Sequence, residues 1–495
     1  MTSRLQPVRI RLDPGSQEPV YRQIYERIRG GILSGTFPAG SRLPSWNALA
    51  GELGVARGTV KAAYEWLAGE GYILAEGAAG TRVNGSLRRE ALREGMREQK
   101  PRASASHSRA VHAGPPAYPW GVAPRPFQVG VPAVDSFPRN VWSRLVARHA
   151  RSLMPQAMVY QDPAGHPPLR EAIVRYLAIA RGVVCAPEQI FITAGYTGAL
   201  DLISRALLRE RDPVWIEDPG YPRMRDVLQL GGTRLVPVPV DADGLMVERG
   251  IAMAPKAPLA IVTPSHQAPL GMPLSLPRRL ALLAWATESR AWIVEDDYYG
   301  EFQFSGRPVP ALKSLDQGDR VIYVGTFSKV LMPSLRLGYV VAPAVLMPRL
   351  RRIASVLVPS QSLIAQMAVA DFIAAGHFAR HIRRMRRLYR ERRAAIVAAL
   401  EEEFGDAWEI GLQESGMHLL ARLPRGTDDV ALAERAAAAD LGPVALSPWA
   451  LKARCGPGLV IGFANSPVAR AGRDVAALAR VVRSAPSAAV QGRRG

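Results

Sequence analysis

The sequence predicts two unlike parts, a small winged helix-turn-helix head (α+β) and a large three-layer α/β body with a mostly parallel sheet. The length of 495 residues exceeds the usual size of one hydrophobic core. Short helical patterns closed by glycines fill residues 14–85, whereas from residue 127 short apolar runs alternate with helical patterns. That alternation is typical of a parallel sheet covered by helices. We therefore expect the head at 14–85, a basic flexible linker at 86–126 and the body at 127–485.

The charge of the chain favours a polyanionic partner. Its formal net charge is +20 at pH 7, and such an excess is common in proteins that bind nucleic acid. The linker at 86–126 is rich in Arg, Ala, Ser and Pro. Its arginines are compatible with contacts along DNA and equally with a solvated tether.

The composition excludes several classes of protein. Cys185 and Cys455 are the only cysteines, too few for a disulfide framework or a thiolate metal site, so we expect no metal. The start of the chain lacks the apolar stretch of a signal peptide, and no run of roughly 18 apolar residues suggests a membrane span. We expect a cytoplasmic protein that does not enter a membrane.

Three helices and a two-stranded wing are predicted for the head. Residues at helical spacing, which should face inward, mark the first helix and are Val20, Ile24, Ile28 and Ile32. The second helix begins after the N-cap residue Ser45 and ends at Gly54. The third begins at Arg57, and two short strands follow around Gly77 and Gly80. In a helix-turn-helix, the second helix of the motif presents its first residues to the DNA major groove.

The head resembles the GntR-type winged helix. The family elements LPS, R-x-TV and G-T-x-V stand here at 43–45, 57–60 and 80–83. The resemblance implies DNA contacts from the start of the third helix, the wing and the second-helix cap, namely Arg57, Thr59, Lys61, Arg82 and Ser45. Trp46 and Asn47 stand where the family has an arginine, and Asn47 is an uncertain contact. Ala56 replaces a capping serine, which typically costs ~1 kcal/mol.

The strongest motif of the body is a lysine in a small polar turn after an apolar strand, in YVGTFSKVLMPSLRLG. Lys329 is flanked by Thr326 and Ser328 and followed by Arg336. Two hydroxyls and an arginine suit a phosphate, and the amine can form a Schiff base with the aldehyde of pyridoxal 5′-phosphate (PLP).

A second motif, AWIVEDDYYGEF, puts carboxylates at the end of a buried strand. An ionised acid there needs a partner, and a protonated pyridine nitrogen is one. Asp296 is the predicted partner, and Tyr298, two residues along, would project to the same side and reach the 3′ oxygen of the ring. Asp297 is the alternative, because a shift of one residue would exchange the two acids.

Further candidates come from three turns that follow predicted strands. Backbone amides at the start of a helix in QIFITAGYTGAL would bind the phosphate, and they belong to Gly195, Tyr196 and Thr197. Tyr221 in EDPGYP would stack on the pyridine ring. His266 and Gln267 in TPSHQ would approach the ring edge.

The order of these elements resembles fold type I aminotransferases over residues 127–485, including their smaller C-terminal α/β subdomain. EDPGYP, TPSHQ, EDDY and GTFSK after a GntR head resemble the MocR subfamily of regulators. The resemblance implies that Lys329 carries PLP, and that Tyr160 reaches the phosphate of a neighbouring subunit in a homodimer. Departures from the family pattern occur around the expected phosphate and ring edge, at Thr197, Ala268 and Leu270.

The family resemblance implies a transcription regulator whose body senses PLP and an amino acid or amine effector. Arg223 and Arg454 are candidates for binding an effector carboxylate. The alternative is an active PLP-dependent aminotransferase with an auxiliary DNA-binding head. A groove-reading helix favours the regulator, because a metabolic enzyme gains nothing obvious from it. A residual aminotransferase half-reaction is compatible with either hypothesis.

Overall fold

The computed structural model describes residues 10–13, 15, 16, 18–75, 80–86, 122–304, 310–357, 361–411, 413 and 415–484. These residues form two compact units, one before and one after residues 87–121. Most of the predicted linker, with all of its arginines except Arg125, and Gly77 of the predicted wing lie outside the described residues. No helix of the described part is long and apolar enough to cross a membrane.

The head contains the predicted three helices and a small sheet. The helices are α1 (Val20–Ser34), α2 (Trp46–Leu53) and α3 (Arg57–Gly69), and the strands are β1 (Arg42–Leu43), β2 (Ile73–Ala75) and β3 (Thr81–Val83). The strands pair antiparallel in the order β1-β3-β2. The wing is therefore joined by a third short strand, which sequence reasoning did not predict.

The head is held together by one apolar cluster. Its fully buried members from the three helices are Ile24, Ile28, Leu49, Val60, Ala63 and Leu67. Val20 was expected to face inward, but it is partly exposed because α1 begins at that residue. The chain reverses after α2 through Gly54, whose φ of 66° is a left-handed conformation that glycine adopts readily.

The body is built on an eight-stranded sheet. Its strands are β4 (Ile190–Thr193), β5 (Pro213–Asp218), β6 (Arg234–Asp241), β7 (Gly244–Leu245), β8 (Leu259–Val262), β9 (Trp292–Asp297), β10 (Val321–Thr326) and β11 (Gly338–Val341). They lie in the order β4-β11-β10-β9-β8-β5-β6-β7. Strands β5, β6, β8, β9 and β10 pair in parallel, whereas β11 and β7 are antiparallel to their neighbours. The predicted mostly parallel sheet is confirmed.

Helices cover both faces of this sheet. They are α4 (Arg139–Arg151), α5 (Pro167–Ala180), α6 (Gly195–Leu207), α7 (Pro222–Leu230), α8 (Val247–Met253), α9 (Leu276–Glu288), α10 (Met347–Leu357), α11 (Leu363–Ala374) and α12 (His377–Phe404). Because side chains alternate along a strand, Ile322 and Val324 pack with α6, α7 and α10 on one face. Tyr323 packs with α5, α11 and α12 on the other.

A smaller sheet follows the long helix α12, as predicted for the C-terminal subdomain. It consists of β12 (Glu409–Ile410), β13 (His418–Arg422), β14 (Val444–Ala445) and β15 (Gly458–Gly462), accompanied by α13 (Asp429–Ala438) and α14 (Ala471–Arg483). The antiparallel order is β12-β13-β15-β14. Its apolar face joins the cluster under α12, so the subdomain shares a core with the body.

The two N-caps of the helix-turn-helix differ in a way that can be tested. The Ser45 hydroxyl accepts a hydrogen bond from the Ala48 amide at 3.1 Å, whereas Ala56 begins α3 in the same extended conformation without a side-chain cap. We expect Ala56→Ser to stabilise α3 by ~1 kcal/mol and Ser45→Ala to destabilise α2 by a similar amount. Hydrogen–deuterium exchange of α2 and α3 peptides in the full-length protein measures both. Equal exchange in the Ala56→Ser variant and the unmodified chain would contradict the capping argument.

Candidate functional sites

A pocket opens at the carboxyl edge of the large sheet, where β4, β5, β8, β9 and β10 end. It is lined by Val129, Gly130, Tyr196, Thr197, Tyr221, Arg223, Ala268, Asp296, Tyr298, Tyr299, Thr326, Ser328, Lys329, Arg336, His418 and Trp449. In open α/β sheets, ligands bind at this edge. Ten of the residues predicted for the cofactor or the effector therefore come together from five separate segments.

Lys329 lies in the turn after β10 and points its amine into this pocket. The Nζ atom donates a hydrogen bond to the Gly130 carbonyl at 3.0 Å. Burial lowers the pKa of Lys329, the negative charge of Asp296 opposes this shift and the positive charge of Arg223 adds to it, so that the pKa falls from 10.5 to about 8. More of this amine is thus uncharged near neutral pH than in a solvated lysine, and the uncharged amine is the form that attacks an aldehyde.

The two adjacent carboxylates at the end of β9 have different partners. Asp297 accepts a hydrogen bond from Arg181 Nε at 2.7 Å and another from the Tyr323 hydroxyl at 2.6 Å, both inside the core. Asp296 instead lines the pocket. Burial, and then the charges of Asp297 and Glu217, raise the pKa of Asp296 well above its ordinary value. Asp296 is therefore the acid that needs a cationic partner, whereas Asp297 already has one.

Aromatic side chains form one wall of the pocket. The Tyr221 ring lies between Tyr196 and Trp449, with centroids 6.1 Å and 6.0 Å away. The Tyr298 hydroxyl is buried and has no hydrogen-bond partner among the described residues, whereas the buried Tyr196 hydroxyl lies beside Asp296. Because an unpartnered buried hydroxyl is costly, Tyr298 is available to a polar ligand.

The predicted phosphate residues gather around the start of α6. Arg336 has a φ of 50°, which directs its side chain across this helix end, where Nη2 donates to the Ala194 carbonyl and the Thr197 hydroxyl, each at 3.2 Å. The Arg336 guanidinium carbon lies 3.8 Å from an ideal Cβ built on Gly195. Thr326 and Ser328 line the same pocket. An arginine, hydroxyls and a helix N-terminus together make an anion site.

Five of the predicted cofactor or effector residues are not in the pocket lining, namely Gly195 at the start of α6, Gln267, His266, Tyr160 and Arg454. Gln267 is buried beneath it, where its amide donates to the Pro219 and Ala268 carbonyls at 2.8 and 3.0 Å. His266 is also buried, with Nδ1 2.7 Å from the Ser415 hydroxyl and its ring packed edge-on to Tyr298. Sequence reasoning placed both at the edge of the PLP ring, whereas Gln267 bonds its turn to the turn at Pro219 and His266 packs against the Tyr298 ring. Tyr160 and Arg454 are both exposed.

Two of the pocket residues that the sequence did not predict, His418 and Trp449, come from the C-terminal subdomain. His418 donates from Nε2 to the Pro269 carbonyl at 3.1 Å, and burial lowers the pKa of His418 to about 4, so the ring is neutral. Trp449 is brought in by Asp218 at the end of β5, whose carboxylate accepts three backbone N–H bonds from residues 451–453 at 2.7–2.8 Å. No short sequence motif predicts either residue, because each is positioned by hydrogen bonds between segments that are far apart in sequence.

The predicted DNA contacts come from the cap of α2, the start of α3 and β3 of the head. Arg57 and Lys61 are exposed in the first turns of α3, Thr59 is half-buried, and Lys61 pairs with Glu65 at 3.7 Å. Arg82 lies on β3 and donates to the Gly40 carbonyl at 3.1 Å. Ser45 is engaged as the α2 cap, while Trp46 and Asn47 are exposed beside it.

The head and the body each match a known protein family. Residues 20–83 match the family of bacterial regulatory proteins of the gntR type, and residues 129–443 match aminotransferase class I and II. The chain is 41% identical over 422 residues to the probable rhizopine catabolism regulatory protein MocR of Rhizobium meliloti, covering 85% of both chains. The chain belongs to the MocR family of GntR-type regulators.

The comparisons also favour the regulator over the aminotransferase alternative. The pyridoxine biosynthesis transcriptional regulator PdxR of Corynebacterium glutamicum is 34% identical and covers 92% of this chain and 94% of its own. The α-aminoadipate aminotransferase LysN of Thermus thermophilus is 28% identical with a TM-score of 0.66, but covers 72% of this chain and 91% of its own. This likeness confirms the fold type I aminotransferase fold of the MocR-family body.

In this MocR-family chain, the contrast between the two acids of β9 is testable. Arg181→Met would leave the buried Asp297 without its cation and lower the free energy of unfolding by about 3–5 kcal/mol. Asp296→Asn should raise the stability of the coenzyme-free protein, because the raised pKa of Asp296 means that ionising it opposes folding.

Urea unfolding of the coenzyme-free chain measures both changes. The unfolded Asp296 ionises at lower pH than the folded one, so stability from this group falls as pH rises. The gain from Asp296→Asn should therefore vanish near pH 4, where the unfolded carboxyl is also becoming protonated, and grow above it. A loss of stability in Asp296→Asn as large as that in Arg181→Met would contradict the assignment.

Proposed function

We propose that this protein is a PLP-binding transcription regulator whose body binds the coenzyme and an amino compound and thereby changes how the head binds DNA. The observation that carries the proposal is the convergence of Lys329, Asp296, Tyr298 and Arg336 on one pocket, in a chain that also has a winged helix. A reactive amine, a desolvated acid, a free hydroxyl and an anion site are the donors that the coenzyme requires.

Two polar groups of the pocket, the Asp296 carboxyl and the Tyr298 hydroxyl, support the binding of PLP. Asp296 is desolvated beside Asp297 and Glu217 and needs a cation, which a protonated pyridine nitrogen supplies. The Tyr298 hydroxyl has no partner among the described residues and would bond to the 3′ oxygen. The 5′-phosphate would be held by the start of α6, at Gly195, Tyr196 and Thr197, and by Thr326, Ser328 and Arg336.

Each residue would have a distinct task. When bound, PLP supplies an electrophilic aldehyde and an electron-accepting ring. Lys329 would hold the aldehyde, and its lowered pKa keeps the amine partly unprotonated at the working pH. Asp296 would keep the ring nitrogen protonated. Tyr221 would stack on the ring, in line with its place between Tyr196 and Trp449.

Arg223 is the better of the two candidates for an effector carboxylate. It lines the pocket and lies close enough to Lys329 to depress its pKa, whereas Arg454 is exposed and outside the pocket lining. An effector carrying both an amine and an anionic group would meet Lys329 and Arg223 together. The relatives' names point to rhizopine catabolism and pyridoxine biosynthesis, and amino compounds related to either are candidates to test.

We further propose that the protein works as a cytoplasmic homodimer. Tyr160 is fully exposed and is preceded by the exposed apolar residues Met154, Met158 and Val159. Such a cluster is typical of a surface that a partner covers. In the dimer, Tyr160 would reach the phosphate site of the other subunit. A cytoplasmic location follows from the proposed operator DNA.

Regulation would operate through populations of head arrangements. A ligand changes an equilibrium only by binding one state more tightly than another. Trp449 and His418 belong to the C-terminal subdomain, and both line the pocket. Occupancy of the pocket would therefore be felt by the subdomain as well as by the sheet, which gives the ligand a means of favouring one arrangement.

Lys329→Ala tests the coenzyme. With PLP and borohydride, the unmodified protein should gain one covalent adduct at Lys329, and Lys329→Ala should gain none, because Lys329 is the only lysine among the described residues that line the pocket. Labelling should increase as pH rises through about 8, following the pKa of the amine. Peptide mass spectrometry locates the adduct. Lys256→Ala, at an exposed lysine, is the matched control, and labelling spread over several lysines would contradict the proposal.

The proposed DNA binding is tested by sequencing the genomic fragments that the purified protein retains with and without PLP. We expect a discrete set of fragments whose recovery changes with PLP, and Arg57→Ala should lose discrimination between operator and other DNA, by about 1–3 kcal/mol if it contacts a base. A transamination assay with amino and 2-oxo acids runs in parallel. Rapid turnover together with unselective DNA retention would support the aminotransferase alternative instead.

A further inference from the structure

Three residues lie side by side across the strands on the outward face of the small sheet in the head. Arg42 on β1 lies opposite Arg82 on β3, and Arg82 lies opposite Leu74 on β2. The neighbouring positions Leu43 and Val83 are buried, so the row points away from the core because side chains alternate along a strand. Arg42 and Leu74 are exposed.

The backbone beneath this row is shaped to seat the Arg42 side chain. An ideal Cβ built on Gly80 would lie 2.9 Å from Arg42 Nε and 3.0 Å from Nη2. The guanidinium therefore lies over a glycine that has a φ of 91°. A larger residue at position 80 would displace it.

The pairing of Arg42 with Arg82 across the two strands does not by itself stabilise the sheet. Like charges directly opposite each other in antiparallel strands are destabilising, and the three strands contain no acidic residue. The Arg42 side chain makes no hydrogen bond or ion pair with another described residue. Two adjacent guanidinium groups on a surface are what a polyanion requires.

The arginine pair is fixed relative to the recognition helix. The Tyr64 hydroxyl of α3 donates to the Pro44 carbonyl at 2.9 Å, directly after β1. Arg82 is held by its bond to the Gly40 carbonyl. A molecule that contacts the start of α3 would thus meet Arg42 and Arg82 at a set distance from it.

We propose that Arg42 and Arg82 form a paired clamp for the phosphate backbone of double-stranded DNA, with Arg42 adding a sequence-independent contact to those expected from α3 and the wing. This inference rests on the proposed DNA-binding function. It concerns phosphates and not bases, so it contributes affinity and orientation without reading the operator.

The test measures binding of the full-length protein to a short mixed-sequence DNA duplex across a salt series. Each phosphate contact adds about one unit to the slope of log affinity against log salt concentration. We expect Arg42→Ala to weaken binding several-fold and reduce this slope by about one unit, and Arg42→Lys to keep the slope. Arg27→Ala, at an exposed arginine of α1, is the matched control and should change neither quantity.

Thermal unfolding separates a binding role from a structural one. Arg42→Ala should melt at the same temperature or higher, because it removes a like-charge pair. An unchanged salt slope, an equal loss in Arg27→Ala, a lower melting temperature or a loss confined to one DNA sequence would each overturn the clamp. If the unmodified protein shows no salt-dependent binding to DNA, the proposed function fails together with the clamp; if it binds and Arg42→Ala binds equally, only the clamp fails.

Discussion

The alternation of side chains at the end of β9 is the constraint on which the body depends. It sends two adjacent carboxylates to opposite sides, so that Asp297 pairs with Arg181 inside the core while Asp296 lines the pocket. If both acids faced the same side, one ion pair would have to serve two buried charges. The separation gives the fold an internally neutralised acid and leaves the pocket with an acid that is not neutralised.

Other carboxylates at the strand ends fasten distant loops by accepting backbone N–H bonds. Asp218 holds residues 451–453, and Glu295 accepts from the Leu312 and Lys313 amides at 2.7 and 2.8 Å. Glu217 accepts from the Thr263 amide and hydroxyl. Burial raises the pKa values of Glu217 and Glu295 to about 7. The same polar groups that make this edge of the sheet costly to bury therefore assemble the walls of the pocket.

The head is stabilised differently from the body, because its core is small and apolar and its charged side chains lie on the surface. The cluster around Ile28, Leu49 and Leu67 fixes the helices, and a single hydrogen bond from Tyr64 connects β1 to α3. Arginines on the outer face of the sheet add nothing to this core. Their presence fits the external polyanion that we propose, in keeping with the basic character of the chain.

The sequence by itself determined the two-part architecture, because the helical spacing in the head and the alternation in the body are local patterns. It also singled out Lys329, Asp296, Tyr298 and Arg336, since each stands in a short motif with its neighbours. Only the tertiary structure decided between Asp296 and Asp297 as the pocket acid, because the choice depends on where Arg181 lies. The tertiary structure also places His418 and Trp449 in the pocket lining and leaves Gln267 and His266 outside it. These positions depend on hydrogen bonds between residues that are far apart in sequence, which no local pattern predicts.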